Sequence, residues 1–208
     1  MRTLLALAVA CLLVAAPSAS AKAKPKPKPA PKPVCNLITD PEGDAQTLVY
    51  GHPELNQPDD PQMDILSVDI ATDATRLTVV WRLAADPAPA DPKWKLGRQY
   101  VLSGYAGDTL FTIHTLLSST GNEFGDGKGT GVIDSKGDQI RTTVPLSALP
   151  ASAAAPKASF HNLTAQTNTW IGTSNASPPW VGVAKPDQTA ESAKPYIAGT
   201  PSCLKVGS

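Results

Sequence analysis

From Val34 onward the chain is built of short stretches in which apolar and polar residues alternate. Leu66, Val68 and Ile70 alternate with Ser67 and Asp69; Leu77, Val79, Trp81 and Leu83 alternate with Thr78, Val80 and Arg82. A period of two sends successive side chains to opposite faces of a strand, so each run predicts a strand with one buried face. Asp73-Ala74-Thr75-Arg76 separates the two runs as a turn would. Further strands are expected at residues 98–103, 109–117, 131–134 and 139–145, with tight turns at Gly107-Asp108 and Lys136-Gly137-Asp138. Residues 121–131 form a glycine-rich loop, and residues 86–92, with three prolines, a surface loop. No amphipathic helix of ordinary length is present in the pattern; residues 146–155 hold a short turn at most. Many short strands at regular spacing predict an all-β fold, a two-sheet antiparallel β-sandwich of jelly-roll or immunoglobulin-like type. Alternation places Trp81 with Leu77 and Val79, which makes it a core residue.

The first 33 residues break this pattern. Met1-Arg2 is a short positive start, and residues 4–16 are an unbroken apolar run, too short to span a bilayer. Ala19-Ser20-Ala21 is the small-x-small pattern of a signal peptidase site. Residues 1–21 are therefore expected to be a secretory signal peptide, and the mature chain to begin at Lys22, outside the cell and without a transmembrane segment. A lipoprotein signal would end at its cysteine, but here the apolar run continues past Cys11. Residues 22–33 alternate Lys and Pro, an extended arm with no apolar face to bury. At about 3.1 Å per residue it would reach roughly 35–40 Å. It reads either as a spacer or as an electrostatic tether to an anionic cell-envelope polymer or lipid. Residues 34–208 are left as a single β-sandwich domain.

Charge divides along the same line. The formal net charge is zero, yet from Val34 onward 12 basic residues face 18 acidic ones. An acidic domain excludes a nucleic-acid grip, which needs a basic face to displace counterions. It suits cations or neutral ligands. Outside the signal the cysteines are Cys35 and Cys203, near the two ends of this acidic segment. In an oxidising compartment such a pair predicts one disulfide between neighbouring first and last strands.

The candidate chemistry lies in Asp40-Pro41-Glu42-Gly43-Asp44, followed after a polar, proline-rich loop by Asp59, Asp60 and Asp64. Carboxylates brought together by a glycine-containing turn can converge on calcium, which takes six to eight oxygens. The spacing is not that of an EF-hand. Asp and Gly are also simply good turn formers, so both readings stand at this point.

The ordered series Ile38-Thr39-Asp40-Pro41-Glu42-Gly43-Asp44, Met63-Asp64-Ile65-Leu66-Ser67-Val68-Asp69-Ile70 and Leu77-Thr78-Val79-Val80-Trp81 resembles the opening of the carbohydrate-binding-module family 9 and DOMON-like β-sandwich superfamily. Gly131-Val132-Ile133-Asp134 and Ile140-Arg141-Thr142-Thr143-Val144-Pro145-Leu146 are similar to its later strand pair. The resemblance implies a sandwich that binds sugars, haem or other ligands, in some members with structural calcium. It carries over to Asp40, Asp44 and Asp64 as metal ligands. The tandem tryptophan pair with which family 9 modules hold a sugar has no counterpart here. Sugar binding would instead need exposed aromatic faces, for which Trp94, Trp170 and Trp180 are the candidates.

Neither a G-x-S-x-G elbow nor an H-E-x-x-H motif occurs, and His52, His114 and His161 are scattered. The expectation is a secreted, non-catalytic binding or envelope-associated module with carbohydrate as its first ligand class. Two alternatives are a hydrolase with a site assembled from distant residues and a purely structural wall protein.

Overall fold

The structure is a computed structural model and describes residues 35–48, 53, 56–87, 96–118, 121–134, 136–171 and 187–204. The expected signal peptide and Lys-Pro arm, with Trp94 and Trp180, lie outside the described residues. Among those described are ten strands: β1 (Ile38–Thr39), β2 (Ile65–Thr72), β3 (Arg76–Leu83), β4 (Leu96–Ala106), β5 (Thr109–Ser118), β6 (Glu123–Phe124), β7 (Thr130–Asp134), β8 (Gln139–Pro145), β9 (Ser159–Ile171) and β10 (Tyr196–Ile197). Two 3-10 turns, Leu146–Ala148 and Ala151–Ala154, lie between β8 and β9.

The strands form two antiparallel sheets in the orders β1-β2-β3-β8-β7 and β10-β9-β4-β5-β6. This is the all-β two-sheet sandwich that the alternation predicts. The inward faces meet in one core. Leu77, Val79, Trp81 and Leu83 of β3 enter it together, and Phe111, Ile113 and Leu117 come from β5. Trp81 is fully buried and tilts against Tyr100 of the opposite sheet at 6.5 Å between ring centres. Burying each such side chain stabilises by about 1.5–3 kcal/mol.

The first predicted strand is displaced in one detail. Ile65 pairs with Leu83 and Ser67 with Arg82, so Leu66 is an extra residue in β2. The bulge puts Ile65, not Leu66, into the core with Val68 and Ile70.

Cys35 and Cys203 form a disulfide with Cα atoms 5.3 Å apart. Neither lies in a strand. Cys35 precedes β1 at the edge of one sheet, and Cys203 follows β10 at the edge of the other. Next to Cys203, Leu204 packs on Ala71 and Val80, the outer side of the first sheet. The bridge thus fastens the chain's closing segment across the sandwich rather than joining two neighbouring strands.

Candidate metal centre

The acidic run Asp40 to Asp44 leaves β1 as a turn at Glu42-Gly43. The Asp40 backbone N–H still donates to Leu66 O at 3.1 Å, so the run starts anchored to β2. Gly43 has φ +89, a left-handed conformation that a side chain strains. Its N–H donates to Asp64 Oδ2 at 2.6 Å. Asp64 immediately precedes β2 and is 1% exposed, so a buried carboxylate holds the turn from below.

The third partner is Asp187. One oxygen from each of Asp40, Asp44 and Asp187 lies within 4.8 Å of the other two. Asp44 is exposed, Asp40 half-buried and Asp187 only 4% exposed. Asp187 Oδ2 accepts the Ile65 N–H at 2.6 Å. Its Oδ1 is buried with no hydrogen-bond donor, as are Asp40 Oδ2 and Asp64 Oδ1. A buried carboxylate oxygen without a donor is expensive to keep. Here the neighbours are further carboxylates, which can accept but not donate when ionised. A proton or a cation is what can bridge them.

The same crowding shifts the acidity of these groups. Burial, then the neighbouring Asp40 and the charge of Asp44, push Asp187 up to about 8, against the Ile65 N–H that favours its charged form. Burial also raises Asp40, while contact with Asp187 opposes that shift and Asp44 adds to it. Burial again raises Asp64, aided by the charges of Asp44, Glu42 and Asp40 and opposed by the Gly43 N–H. Two unit charges 4.8 Å apart repel by about 3 kcal/mol at an effective dielectric constant of about 20. A divalent cation between them reverses that sign.

Of the residues expected from the sequence, then, Asp40 and Asp44 come together, and Asp64 lies beside them with one oxygen spent on the Gly43 turn. Asp187 was not foreseen. It stands in Pro186-Asp187-Gln188, far along the chain, with no local motif to mark it. Asp60 is used elsewhere: it accepts from Thr47 Oγ1 at 2.6 Å and pairs with buried Arg98 at 3.6 Å.

Trp170 is placed in β9 opposite Gly97. Tyr105, not singled out from the sequence, is 39% exposed and lies nearly parallel to His161, with ring centres 5.7 Å apart. His161 Nε2 is 2.9 Å from Gly107 O, and His114 pairs with Asp126 at 2.6 Å, so both histidines have structural partners. Among the described residues no helix is long and apolar enough to cross a membrane. No family model and no curated protein matches this chain.

Proposed function

We propose that this chain is a secreted, non-catalytic binding module whose acidic loop is fastened by calcium. The carrying observation is Asp187: nine-tenths buried, one oxygen on Ile65 N–H, the other without a donor, and within 4.8 Å of Asp40 and Asp44 oxygens. The donor set is all oxygen, which suits a hard cation such as calcium rather than a soft one. Asp40, Asp44 and Asp187 would hold it, and Asp64 would keep the Gly43 turn in shape. The role is structural, joining the loop after β1 to the segment that follows residue 186.

Carbohydrate is the ligand class of this reading, and membership in the family 9 and DOMON-like superfamily is its evolutionary counterpart. Tyr105, a ring held by His161 on an outer sheet face, supports it as an aromatic platform of the kind sugars stack on. The Lys-Pro arm would hold the module to an anionic envelope polymer. Thermal unfolding in millimolar calcium and in chelator tests the metal. At a hundredfold excess over Kd, binding to the folded state alone adds about 2.7 kcal/mol. That raises Tm by roughly 5–10 °C in a domain of this size. Equal midpoints in the two conditions would leave the aspartates as turn formers.

A further inference from the structure

We propose that the cation works as a latch, clamping the 187–192 segment along the open edge of β9. The inference rests on the calcium reading above and adds a consequence for the edge of the second sheet.

β10 covers β9 at Ser159 and Phe160. Further along, the edge is covered by residues 187–192, which do not form a regular strand. Gln166 and Gln188 make one isolated bridge. Three N–H groups of β9 point to this segment. Thr167 N donates to Asp187 O at 2.9 Å. Ala165 N donates to Thr189 Oγ1 at 3.0 Å and Leu163 N to Ser192 Oγ at 3.2 Å. In return Thr189 N donates to Ala165 O at 2.9 Å and Ser192 N to Leu163 O at 2.8 Å. Two of the three β9 donors are thus met by hydroxyls rather than by backbone carbonyls. An edge covered by one bridge and two hydroxyls lacks a continuous backbone ladder, and such regions open at lower free energy than a central strand pair.

Asp187 is where that cover begins. Its carbonyl is on Thr167, and its carboxylate reaches the other sheet through Ile65 N–H and lies beside Asp40 and Asp44. If the cover lifts, Asp187 leaves the site, and a cation there loses one of its three carboxylates. The cation therefore binds the covered state more tightly than the open one, and that difference is what shifts the population.

Hydrogen exchange of the calcium-loaded and chelated protein, followed amide by amide by NMR, tests this. Calcium should slow exchange at Leu163, Ala165 and Thr167 at least tenfold. Gln166 and Asn168, whose N–H groups face β4 opposite Val101 and Gln99, should change much less. Asp44→Asn, at an exposed position, should shift the calcium needed for this protection to higher concentration. Asp187→Asn should abolish it. Equal slowing on both edges of β9 would mean global stabilisation and overturn the latch. A calcium-raised Tm with unchanged exchange at all five amides would overturn the latch and leave the metal reading standing. No calcium effect on either Tm or exchange would remove both.

Discussion

Asp187 Oδ2 accepts the backbone N–H of Ile65 at 2.6 Å, joining residues 122 positions apart. Ile65 opens β2 in one sheet, and Asp187 lies beside β9 of the other. An asparagine oxygen could accept that bond equally well. A carboxylate adds a second acceptor and a charge, and the second oxygen has no donor. The bond to Ile65 thus explains half of the side chain, and the proposed cation would account for the rest.

The first prediction is a pH dependence in chelator. Asp187 is raised from 3.8 to about 8 by burial, with Asp40 and Asp44 adding to the shift. Between about 4 and 8 the folded chain keeps a proton that the unfolded chain has released. Stability is therefore fullest below about pH 4 for this group and is lost as pH rises through about 8. Asp40 and Asp64, also raised by burial, push the same way. Urea unfolding with chelator at pH 5, 7 and 9 should show falling midpoints, and a rise toward pH 9 would contradict the assignment.

The second concerns Asp187→Asn. The amide keeps an acceptor for Ile65 N–H but carries no charge. In chelator at pH 9 the variant should be more stable than the parent, because the repulsion is gone. Its fall in stability from pH 5 to pH 9 should be shallower. In calcium the order should reverse, with the variant lacking most of the Tm gain. Thermal melts of both proteins at two pH values, with and without calcium, check all three statements.

How much of this was legible in the sequence follows from what each residue does. Strands β3, β5 and β8 alternate clearly enough for the pattern to give their limits to within a residue, although Thr115 and Thr142 stand buried at inward positions of β5 and β8. The strand β9 was missed. Its inward positions include Thr167 and Thr169, both buried, and Asn162 interrupts it with φ +48. With Ala165 before the two threonines, three successive inward positions of β9 are small or polar, and such a run weakens the period-two signal. Strands β1, β6 and β10 have two residues each, too few to show a period. At the acidic site the local half was readable, since Asp40, Gly43 and Asp44 share one turn. Asp187 was not, because its partners come from tertiary folding.

The third prediction tests the irregular pairing inside the second sheet. Between Ser103 and Tyr105 the β4–β9 register shifts, and Gly104 lies at that point. A Cβ there would meet Leu163 Cδ2 at 2.5 Å and His161 O at 3.1 Å. Leu163 is fully buried, and His161 O is backbone. Gly104→Ala should destabilise by about 1–3 kcal/mol through overpacking. Gly121→Ala, open within 4 Å but with φ +146, serves as a comparison in which backbone strain acts without a clash. Chemical denaturation should rank Gly104→Ala well below the parent. Parity with the parent would mean that β4 and β9 can separate there at no cost.

The last prediction concerns the covalent closure. Cys35 and Cys203 are separated by 168 positions, so their bond closes nearly the whole sandwich into one loop. In the chain-entropy model a loop of that length restricts the unfolded state by about 5 kcal/mol, and measured gains usually fall below the model. The bond has a local effect too. Two residues after Cys35, Leu37 N donates to Asp69 Oδ1 at 3.1 Å, and Asp69 Oδ2 pairs with Arg82 at 2.7 Å. Next to Cys203, Leu204 covers Ala71 and Val80. Reduction should therefore loosen both chain ends on the outer face of the first sheet, while the core around Trp81 persists. The Cys35→Ser, Cys203→Ser double variant should lose up to about 5 kcal/mol in urea, without a change in the near-ultraviolet signal of the buried aromatics before unfolding. Unreduced, the parent should have a mass two hydrogens below its free-thiol value. Two thiols titrating in the folded, air-oxidised protein would refute the bridge. A double variant as stable as the parent would show that packing by Leu37 and Leu204 holds the two ends without it.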